Sequence, residues 1–288
     1  MVVLVTGADG QLGKSLRYIA EDYPQIQFLF FNSQQLDIAD SRVVNSVFAA
    51  AHPDFCINAA AYTAVDRAEN EAETAHQINV IGPQNLAYAS KKEGTILIQI
   101  STDFIFDGNS QVPYTERDRP NPMSVYGRTK LEGEKAVEKE MERFFIIRTS
   151  WVYSQFGNNF MKTMMRLASE RESLNVVDDQ VGTPTHAVDL AKTLLRIIIS
   201  TKEKPEHKLF GIYNFSNEGQ CTWYEFAKKI FEINHVEIQL NAIVTERYPT
   251  PAKRPKYSVL NKDKIKLCFG IVPEYWDVSL ENYNGRLL

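Results

Sequence analysis

Compact apolar runs alternate with amphipathic segments in the first half of the chain. The apolar runs are VVLVTG, IQFLFF, DFCINAA, TILIQIS and RFFIIRTS. Between them, apolar residues recur at helical intervals in KSLRYIAEDY, SRVVNSVFAAAH and ETAHQINVIGPQNLAYASKKEG. Continuous apolar strands separated by such helices are typical of a parallel sheet that is covered on both faces. The pattern therefore predicts a doubly wound α/β fold with right-handed crossovers.

The pattern is less regular after RTSWVY. NFMKTMMRLASERE and TWYEFAKKIFEI predict helices, whereas LNVVDD and GIYNFS predict strands. HAVDLAKTLLRIIIS has the length and apolar spacing of a helix that returns to the first sheet. YPTPAKRPKYSVLNKDKIK is rich in proline and lysine, which predicts an extended segment followed by a short helix. We infer a smaller C-terminal lobe.

The first apolar run ends in a loop with three glycines, Gly7, Gly10 and Gly13. Such a loop is weak evidence alone, but here it follows a predicted strand and opens a predicted helix. Gly7 permits the tight turn, Gly10 leaves room for a pyrophosphate, and Gly13 lets the helix pack closely on the sheet. The helix N-terminus, with roughly half a positive charge, would face the phosphates, and Gln11 and Leu12 would present backbone groups beside them. These features predict a Rossmann dinucleotide-binding domain.

The two lobes share chain crossings. We assign residues 1–151, with a returning segment of about 182–216, to the dinucleotide-binding domain. About 152–181 and 217–288 are assigned to the substrate-binding lobe. In doubly wound folds the ligand lies beyond the carboxyl ends of the strands, so we expect the site to face the second lobe.

The segment after the second strand, FFNSQQLD, leaves the choice of cofactor open. It has no Asp or Glu at the strand end to bind a ribose 2′-hydroxyl and no Arg to bind a 2′-phosphate. Asn32 and Ser33 are neutral and favour neither NADH nor NADPH. Asp37 is equally well interpreted as a ligand of the adenine or as a helix cap or turn residue. The small residues of NAAAYT suit either a wall for a flat cofactor or close packing.

Composition narrows the function classes. The 288 residues are 44% hydrophobic and 24% charged, as in ordinary globular proteins, and the net charge of −4 argues against nucleic acid as a partner. We expect no membrane span, because the longest apolar run, around LLRIII, is short and contains Arg196. The N-terminus has no signal-peptide pattern, and the three scattered cysteines fit a reducing cytoplasm. The five histidines show no metal-ligand spacing.

Tyr126 and Lys130 lie four residues apart in SVYGRTKLEGEK, which places both on one face if the segment is helical. This spacing is common by chance, but here it follows the glycine loop and the ISTD strand end. Hydride addition to a carbonyl needs an acid for the oxygen, and Tyr126 can supply the proton. A phenol has a pKa of about 10, and an ammonium about 4 Å away at an effective dielectric of about 20 stabilises its anion by about 4 kcal/mol. We expect Lys130 to lower the pKa of Tyr126 by up to roughly three units before desolvation opposes it.

A second donor should hold the carbonyl oxygen. Thr102, in ISTD, is the candidate, and its alternative role is to satisfy backbone groups at the strand end. Ser101 is a close competitor from sequence alone.

At these residues the chain resembles the extended short-chain dehydrogenases/reductases, and within them the dTDP-4-dehydrorhamnose reductase family. The resemblance runs nearly end to end. It is carried in the first lobe by TGADGQLG, LDIAD, NAAAYTAVDRAE, STDFIFDG and YGRTKLEGE, and in the second by RTSWVY, DQVGTPTHAVDLA, GIYNFSNEG and RPKYSVL. It implies hydride transfer from NADPH or NADH to the 4-keto group of a dTDP-6-deoxyhexulose.

The resemblance also implies roles for single residues. Thr102, Tyr126 and Lys130 form the implied catalytic set, and Lys130 also contacts the nicotinamide ribose. The implied cofactor residues are Gly7, Gly10, Gln11, Leu12, Asp37, Ile38, Ala60, Ala61 and Tyr62. Asp103 and Trp151 are placed near the sugar, and Arg254 near the diphosphate, where a guanidinium forms paired hydrogen bonds. The residue-level alternatives are a core position for Trp151 and a solvated surface charge for Arg254.

Two positions depart from the family pattern. Phe104 stands where many relatives carry tyrosine, a change that should leave Thr102 unaffected. Some relatives dimerise through a magnesium ion bridged by glutamates, one of them early in the first helix. That helix begins here with Lys14 and Ser15, so the glutamate is missing and we predict no metal site in this chain. The sequence does not decide whether the chain forms a homodimer.

Two other functions compete with the reductase. A nucleotide-sugar epimerase or dehydratase on the same fold would retain its NAD and commonly needs further acid/base residues beside the strand-end Ser-Thr, where only Asp103 is present. A non-catalytic NADP-binding regulatory subunit, such as the β subunit of methionine adenosyltransferase, resembles the same family. The intact Thr102, Tyr126 and Lys130 argue against lost chemistry.

Overall fold

A computed structural model describes residues 1–204, 206 and 209–284. Its central feature is a six-stranded parallel sheet in the order β10-β5-β4-β3-β1-β2. These strands are β1 (Val2–Thr6), β2 (Gln27–Phe30), β3 (Phe55–Asn58), β4 (Ile96–Thr102), β5 (Phe144–Thr149) and β10 (Gly211–Asn214). The prediction of a doubly wound parallel sheet is confirmed.

Eleven α-helices are described. They are α1 (Gln11–Ile19), α2 (Ser41–Ala51), α3 (Val65–Ala68), α4 (Ala72–His76), α5 (Gly82–Glu93), α6 (Val125–Glu140), α7 (Phe160–Glu170), α8 (Ala187–Glu203), α9 (Trp223–Ile233), α10 (Asp263–Phe269) and α11 (Trp276–Asn284). A π-helical turn, Gln77–Ile81, joins α4 to α5. The first helix begins at Gln11, three residues before the predicted apolar segment, so Gly13 lies inside it.

Two apolar cores cover the faces of the sheet, because successive strand residues point to opposite sides. Val3 and Val5 of β1 pack with α1 and α8, whereas Leu4 packs with α2, α5 and α6. The predicted return of 186–200 as a helix onto the first sheet is confirmed, since Leu194 of α8 is buried in the same core as Val3. Cys56 is buried in the second core, as its apolar neighbours predict.

A third core lies between α7, α9 and a two-stranded sheet. This sheet pairs β7 (Ser173–Val177) in parallel with β12 (Gln239–Ile243). The predicted helices and strands of this region are present, but β12 was not predicted. Its residues are only partly buried or exposed, so they lack the continuous apolar pattern of the central strands.

The remaining short strands tie the second half of the chain together. β6 (Val152–Tyr153) pairs in parallel with β9 (Thr185–His186), and β8 (Val181–Gly182) pairs antiparallel with β11 (Cys221–Thr222). Within the described residues, no helix combines the length and apolarity that crossing a bilayer requires.

Candidate active site

The glycine loop joins β1 to α1 by a close backbone approach. Gly7 has φ +64°, and a Cβ added to it would lie 2.6 Å from the backbone nitrogen of Ala60. A Cβ on Gly13 would lie 2.5 Å from the carbonyl oxygen of Gly7. Any side chain at either position would collide with backbone, so glycine is required at both. Gly13 therefore packs the helix against the loop itself.

The N-terminus of α1 is free to bind an anion. Gly10 is the N-cap residue, and no side chain of the described residues caps the helix there. The backbone nitrogen of Gly10 donates to the carbonyl of Gly7 at 3.0 Å, which closes the turn beneath the helix end. First-turn amides without side-chain caps form an anion site. The loop residues therefore fit the phosphates of a dinucleotide.

A buried polar chain supports this loop from below. The Thr6 hydroxyl donates to Asn58 Oδ1 at 2.6 Å, and Asn58 Nδ2 donates to Gln99 Oε1 at 2.7 Å. Asn58 Oδ1 also accepts from the backbone nitrogen of Ala60 at 3.2 Å. Sequence reasoning missed these residues, although polar side chains in three apolar strands were a visible signal. The chain fixes the loop and the residues after β3 relative to each other.

Gln11 connects the loop to the second half of the chain. Its Nε2 donates to the carbonyl of Val152 at 3.2 Å. Its Oε1 accepts from the Ser154 hydroxyl and from Asn159 Nδ2, each at 3.0 Å. Asn159 in turn caps α7. The side chain of Gln11 thus has a bridging role that its loop position did not suggest, while its backbone remains at the helix end.

The other predicted cofactor residues differ in exposure. Asp37 is exposed, and its Oδ1 accepts from the backbone nitrogen of Ala39 at 2.9 Å, so it serves as a turn residue. Ile38 and Leu12 are buried in apolar cores. Asp40, rather than Asp37, caps α2.

Ala60, Ala61 and Tyr62 follow β3 toward α6. Both alanines are partly exposed, and the backbone nitrogen of Tyr62 donates to Asn79 Oδ1 at 2.9 Å. Asn79 Nδ2 donates to Thr129 Oγ1 at 3.1 Å, which joins this segment to the helix that carries Tyr126 and Lys130. The Tyr62 hydroxyl donates to Glu71, which raises the pKa of the phenol.

The structure brings Thr102, Tyr126 and Lys130 together at the carboxyl end of β4. Thr102 is the last residue of β4, and the Tyr126 ring packs against Phe104, two residues further along the chain. Lys130 is buried, and its Nζ donates to the carbonyl oxygen of Ile100 in β4 at 2.6 Å. Ser124 caps α6, so the helix begins one residue before Tyr126. The predicted helical spacing is therefore correct.

The expected lowering of the Tyr126 pKa is wrong. Burial raises this pKa to about 12, and the nearby Asp103 adds to the rise, whereas the Thr102 hydroxyl opposes it. Burial also lowers the pKa of Lys130 to about 8, against the attraction of Glu134. Desolvation disfavours the charged form of each group, and it is the largest cause of both shifts. Tyr126 is therefore a neutral phenol near pH 7, whereas Lys130 remains an ammonium below about pH 8.

Ser101 points into a buried ion pair rather than toward Tyr126. Its hydroxyl donates to Glu134 Oε1, which also accepts from Arg148 Nε at 3.0 Å. Arg148 Nη2 donates to Glu134 Oε2 at 2.7 Å, and both side chains are almost fully buried. The geometry thus favours Thr102 over Ser101. Sequence reasoning missed Glu134, although it lies one turn beyond Lys130.

Asp103 lies beside Thr102 and is 1% exposed. Its Oδ1 accepts from the Thr102 hydroxyl at 3.0 Å, and its buried Oδ2 has no hydrogen-bond partner within the described residues. Burial raises the pKa of this carboxyl to about 6. Phe104 contacts the Tyr126 ring edge to face, with 5.6 Å between the ring centroids. The departure to phenylalanine at 104 thus packs directly against the phenol.

Trp151 has a left-handed backbone, with φ +46°, which is unusual for a bulky residue. Its ring stacks on Trp223 with centroids 3.5 Å apart. A Cβ on Gly182 would lie 2.5 Å from the indole, so glycine there makes room for it. Trp151 is partly exposed and packs against the third core. Trp223 was not predicted as a site residue.

Arg254 forms a bidentate ion pair with Asp66 of α3. Its Nη1 and Nη2 donate to the two carboxylate oxygens at 3.1 and 2.7 Å, and this contact lowers the pKa of Asp66. Arg254 lines a cleft of about 390 Å³ that we call the basic cleft. Its other lining residues include Lys253, Lys256, Met123, Tyr248 and Asp107. The solvated-charge interpretation is therefore incomplete, because the guanidinium has a specific partner.

Three comparisons relate this chain to known proteins. The family model described as RmlD substrate binding domain matches residues 1–287. The dTDP-4-dehydrorhamnose reductase of Aggregatibacter actinomycetemcomitans is 41% identical over 97% of this chain and 97% of its own length. The corresponding reductase of Sinorhizobium fredii is 42% identical and covers 100% and 98%.

Solved structures agree with these matches. A dTDP-4-dehydrorhamnose reductase from Clostridium acetobutylicum has a TM-score of 0.94 and 42% identity over 100% of this chain and 99% of its own. The reductase of Bacillus anthracis, solved in complex with NADP, has a TM-score of 0.93 and 39% identity over 99% of both chains. A UDP-glucose 4-epimerase from Thermus thermophilus shares the fold at 18% identity with a TM-score of 0.83.

The parallel sheet and the glycine loop define a Rossmann fold, and the reductases that match the chain make it an oxidoreductase of that class. The family model and the curated reductases match nearly the whole chain, and they identify one family within that class. This chain belongs to the dTDP-4-dehydrorhamnose reductase family.

Proposed function

We propose that this chain reduces the 4-keto group of dTDP-4-dehydro-L-rhamnose to give dTDP-L-rhamnose. NADPH or NADH would serve as hydride donor and Tyr126 as proton donor. The observation that carries the proposal is that Tyr126 packs on Phe104, just after Thr102 at the end of β4, and Lys130 donates to Ile100 of the same strand. The names of the relatives support the substrate, and the relative solved with NADP supports the cofactor class.

Tyr126 is suited to donate a proton. When bound, the dinucleotide supplies a hydride to the carbonyl carbon, and negative charge then develops on the carbonyl oxygen. A phenol with a pKa of about 12 is fully protonated at neutral pH, so Tyr126 is in its donor form. The Thr102 hydroxyl, now bonded to Asp103, would turn to hold the same oxygen. The ketone gains one hydride and one proton and becomes a secondary alcohol.

Lys130 would replace the proton that Tyr126 gives up. Its pKa of about 8 lies near neutrality, so it exchanges protons with solvent without a large barrier in free energy. In its charged form it also stabilises the phenolate that forms beside it. Glu134 keeps part of that charge in place, because its carboxylate raises the pKa of Lys130 against burial.

The dinucleotide would lie across the edge of the sheet. The loop of Gly7, Gly10 and Gly13 and the backbone of Gln11 and Leu12 would hold its phosphates. Asp37 and Ile38 would border the adenosine, and Ala60, Ala61 and Tyr62 would form the wall beside the nicotinamide half. Lys130 would contact the nicotinamide ribose.

The sugar nucleotide would bind between the strand ends and the second lobe. Asp103, with its unpartnered carboxylate oxygen, and the partly exposed Trp151 would contact the sugar. Arg254 and the lysines of the basic cleft would bind the diphosphate. This arrangement keeps the division into a dinucleotide-binding domain, 1–151 plus about 182–216, and a smaller substrate-binding lobe. A cytoplasmic location is proposed with it, because all three cysteines are free thiols.

The direct test combines consumption of the cofactor with identification of the product. Purified protein is mixed with dTDP-4-dehydro-L-rhamnose and NADPH or NADH, absorbance of the reduced cofactor is followed, and the sugar product is identified by NMR. We expect one cofactor oxidised per dTDP-L-rhamnose formed. A retained, non-exchanging NAD with an epimerised or dehydrated product contradicts the proposal, as does cofactor binding without turnover.

A further inference from the structure

The structure places the carboxylate of Asp9 beside the segment that follows β2, where the sequence itself has no acidic residue at the strand end. In doubly wound folds an acidic residue near the end of the second strand binds the ribose 2′-hydroxyl of NAD, whereas an arginine there accommodates the 2′-phosphate of NADP. Asn32 and Ser33 follow β2 and carry no charge. Asp9, from the glycine loop, reaches this place, because its Oδ2 accepts a hydrogen bond from Asn32 Nδ2 at 3.0 Å.

The position of this carboxylate is fixed from both sides. The backbone nitrogen of Ala8 donates to the carbonyl of Phe31 at 3.1 Å, which holds the glycine loop against the end of β2. Asn32 Oδ1 accepts from the backbone nitrogens of Gln34 and Gln35, each at 3.1 Å. Because the amide oxygen of Asn32 accepts these two hydrogen bonds, the amide nitrogen is the atom that faces Asp9. Among the described residues, nothing hydrogen-bonds the other oxygen of Asp9, Oδ1.

We infer that Asp9, oriented by Asn32, makes the dinucleotide site of this chain select NADH over NADPH. The inference rests on the cofactor class of the proposed function. A ribose 2′-hydroxyl can donate to the carboxylate of Asp9, and a hydrogen bond to a charged acceptor is stronger than a neutral one. A 2′-phosphate, with about two negative charges, is repelled by the same carboxylate.

One cation competes for this role. The Arg17 guanidinium of α1 lies 4.4 Å from the centroid of the Phe30 ring, at the end of β2. The guanidinium lies over that ring, whereas Asp9 is hydrogen-bonded to Asn32, the second residue after the strand. The Bacillus anthracis relative was solved with NADP, so preference for the phosphorylated cofactor is the opposing outcome. Arg17 therefore supplies the control variant.

Direct binding tests this selectivity without any sugar substrate. Dissociation constants of NADH and NADPH are measured by calorimetry for the unmodified chain, Asp9→Asn and Arg17→Gln, and circular dichroism checks that each variant is folded. We expect the unmodified chain to bind NADH about tenfold or more tightly than NADPH, because one exposed carboxylate opposes a doubly charged phosphate. Asp9→Asn should remove about tenfold of this ratio, mainly by tightening NADPH, whereas Arg17→Gln should leave the ratio unchanged.

Each other outcome overturns the inference. Asp9 does not select the cofactor if the unmodified chain binds NADPH more tightly than NADH. The same conclusion follows if Asp9→Asn and the unmodified chain have the same ratio of NADPH to NADH dissociation constants. Selective loss of NADPH binding in Arg17→Gln assigns the selection to Arg17 instead. If the chain reduces the keto sugar with equal affinity for both cofactors, the inference fails while the proposed function stands. If neither cofactor binds, both fail.

Discussion

The catalytic end of the site and the basic cleft differ in how their charges meet water. Lys130 and Asp103 are 4% and 1% exposed. Burial lowers the pKa of Lys130 and raises that of Asp103, so it disfavours the charged form of each. At the basic cleft, the side chains of Arg254 and its partner Asp66 are 24% and 39% exposed, and the contact lowers the pKa of Asp66. A buried charge acts strongly on the reacting atoms, whereas an exposed one mainly attracts and positions a ligand. Changes at the first region should therefore alter rate and stability, and changes at the second should alter substrate affinity.

The largest effect should come from the buried pair behind the catalytic end. Glu134→Gln leaves the Arg148 charge buried without an opposite charge, so we expect it to lower the free energy of unfolding by about 3–5 kcal/mol. Urea denaturation measures this. Glu140→Gln, on the same helix, removes only an exposed contact with Lys91 and should cost about 0–1 kcal/mol. If both variants lost the same free energy of unfolding, burial would not explain the difference between the two regions.

The pH dependence of the reaction should follow Lys130. This group is an ammonium below its pKa of about 8 and a neutral amine above it. Under the proposed function the charged form would stabilise the phenolate, so kcat/KM should fall as pH rises through about 8, approaching tenfold per pH unit. The Tyr126 pKa of about 12 keeps the phenol protonated over this range, so it adds no second descending limb.

Lys130→Arg sharpens the pH test. Arginine keeps its charge over the measured range, so the variant should lose the descending limb whatever its absolute rate. A profile of the unmodified enzyme that stays flat to about pH 10 would show that the charge of Lys130 is not used.

In the basic cleft the effect should be smaller and confined to binding. Arg254→Ala should raise KM for the sugar nucleotide about tenfold and leave kcat within about twofold, because a charged hydrogen bond to a diphosphate is lost before the chemical step. Steady-state kinetics at saturating cofactor measure both constants. Arg42→Ala, which removes a 90%-exposed arginine of α2, should change neither. An unchanged KM in Arg254→Ala would contradict the proposed diphosphate contact.

Most of the first lobe could be predicted because its information is local. The apolar runs that became β1, β3, β4 and β5 are continuous, and the helices between them carry a regular apolar spacing. The spacing of Tyr126 and Lys130 on α6 and the glycines of the loop likewise depend on neighbours in sequence. Such patterns can be read without knowing the tertiary structure.

What sequence reasoning missed depends on contacts between distant residues. Asp66 and Arg254 are 188 positions apart, and Asp9 reaches Asn32 across 23. The pKa of Tyr126 was misjudged because the expected effect of Lys130 was inferred from spacing, whereas the burial that raises this pKa is a property of the packed fold. The half-exposed β12 lacked a strand pattern because only one neighbour pairs with it.

Proton donation by the buried phenol of Tyr126 is tested most directly by a single turnover of Tyr126→Phe saturated with cofactor and keto sugar. The rate of cofactor oxidation should fall about a hundredfold to ten-thousandfold relative to the unmodified enzyme, while the dissociation constant of the cofactor stays the same. Tyr88→Phe, on α5 and 53% exposed, serves as the matched control and should leave the rate unchanged. An undiminished rate in Tyr126→Phe would contradict the account, because another group would then be protonating the oxygen.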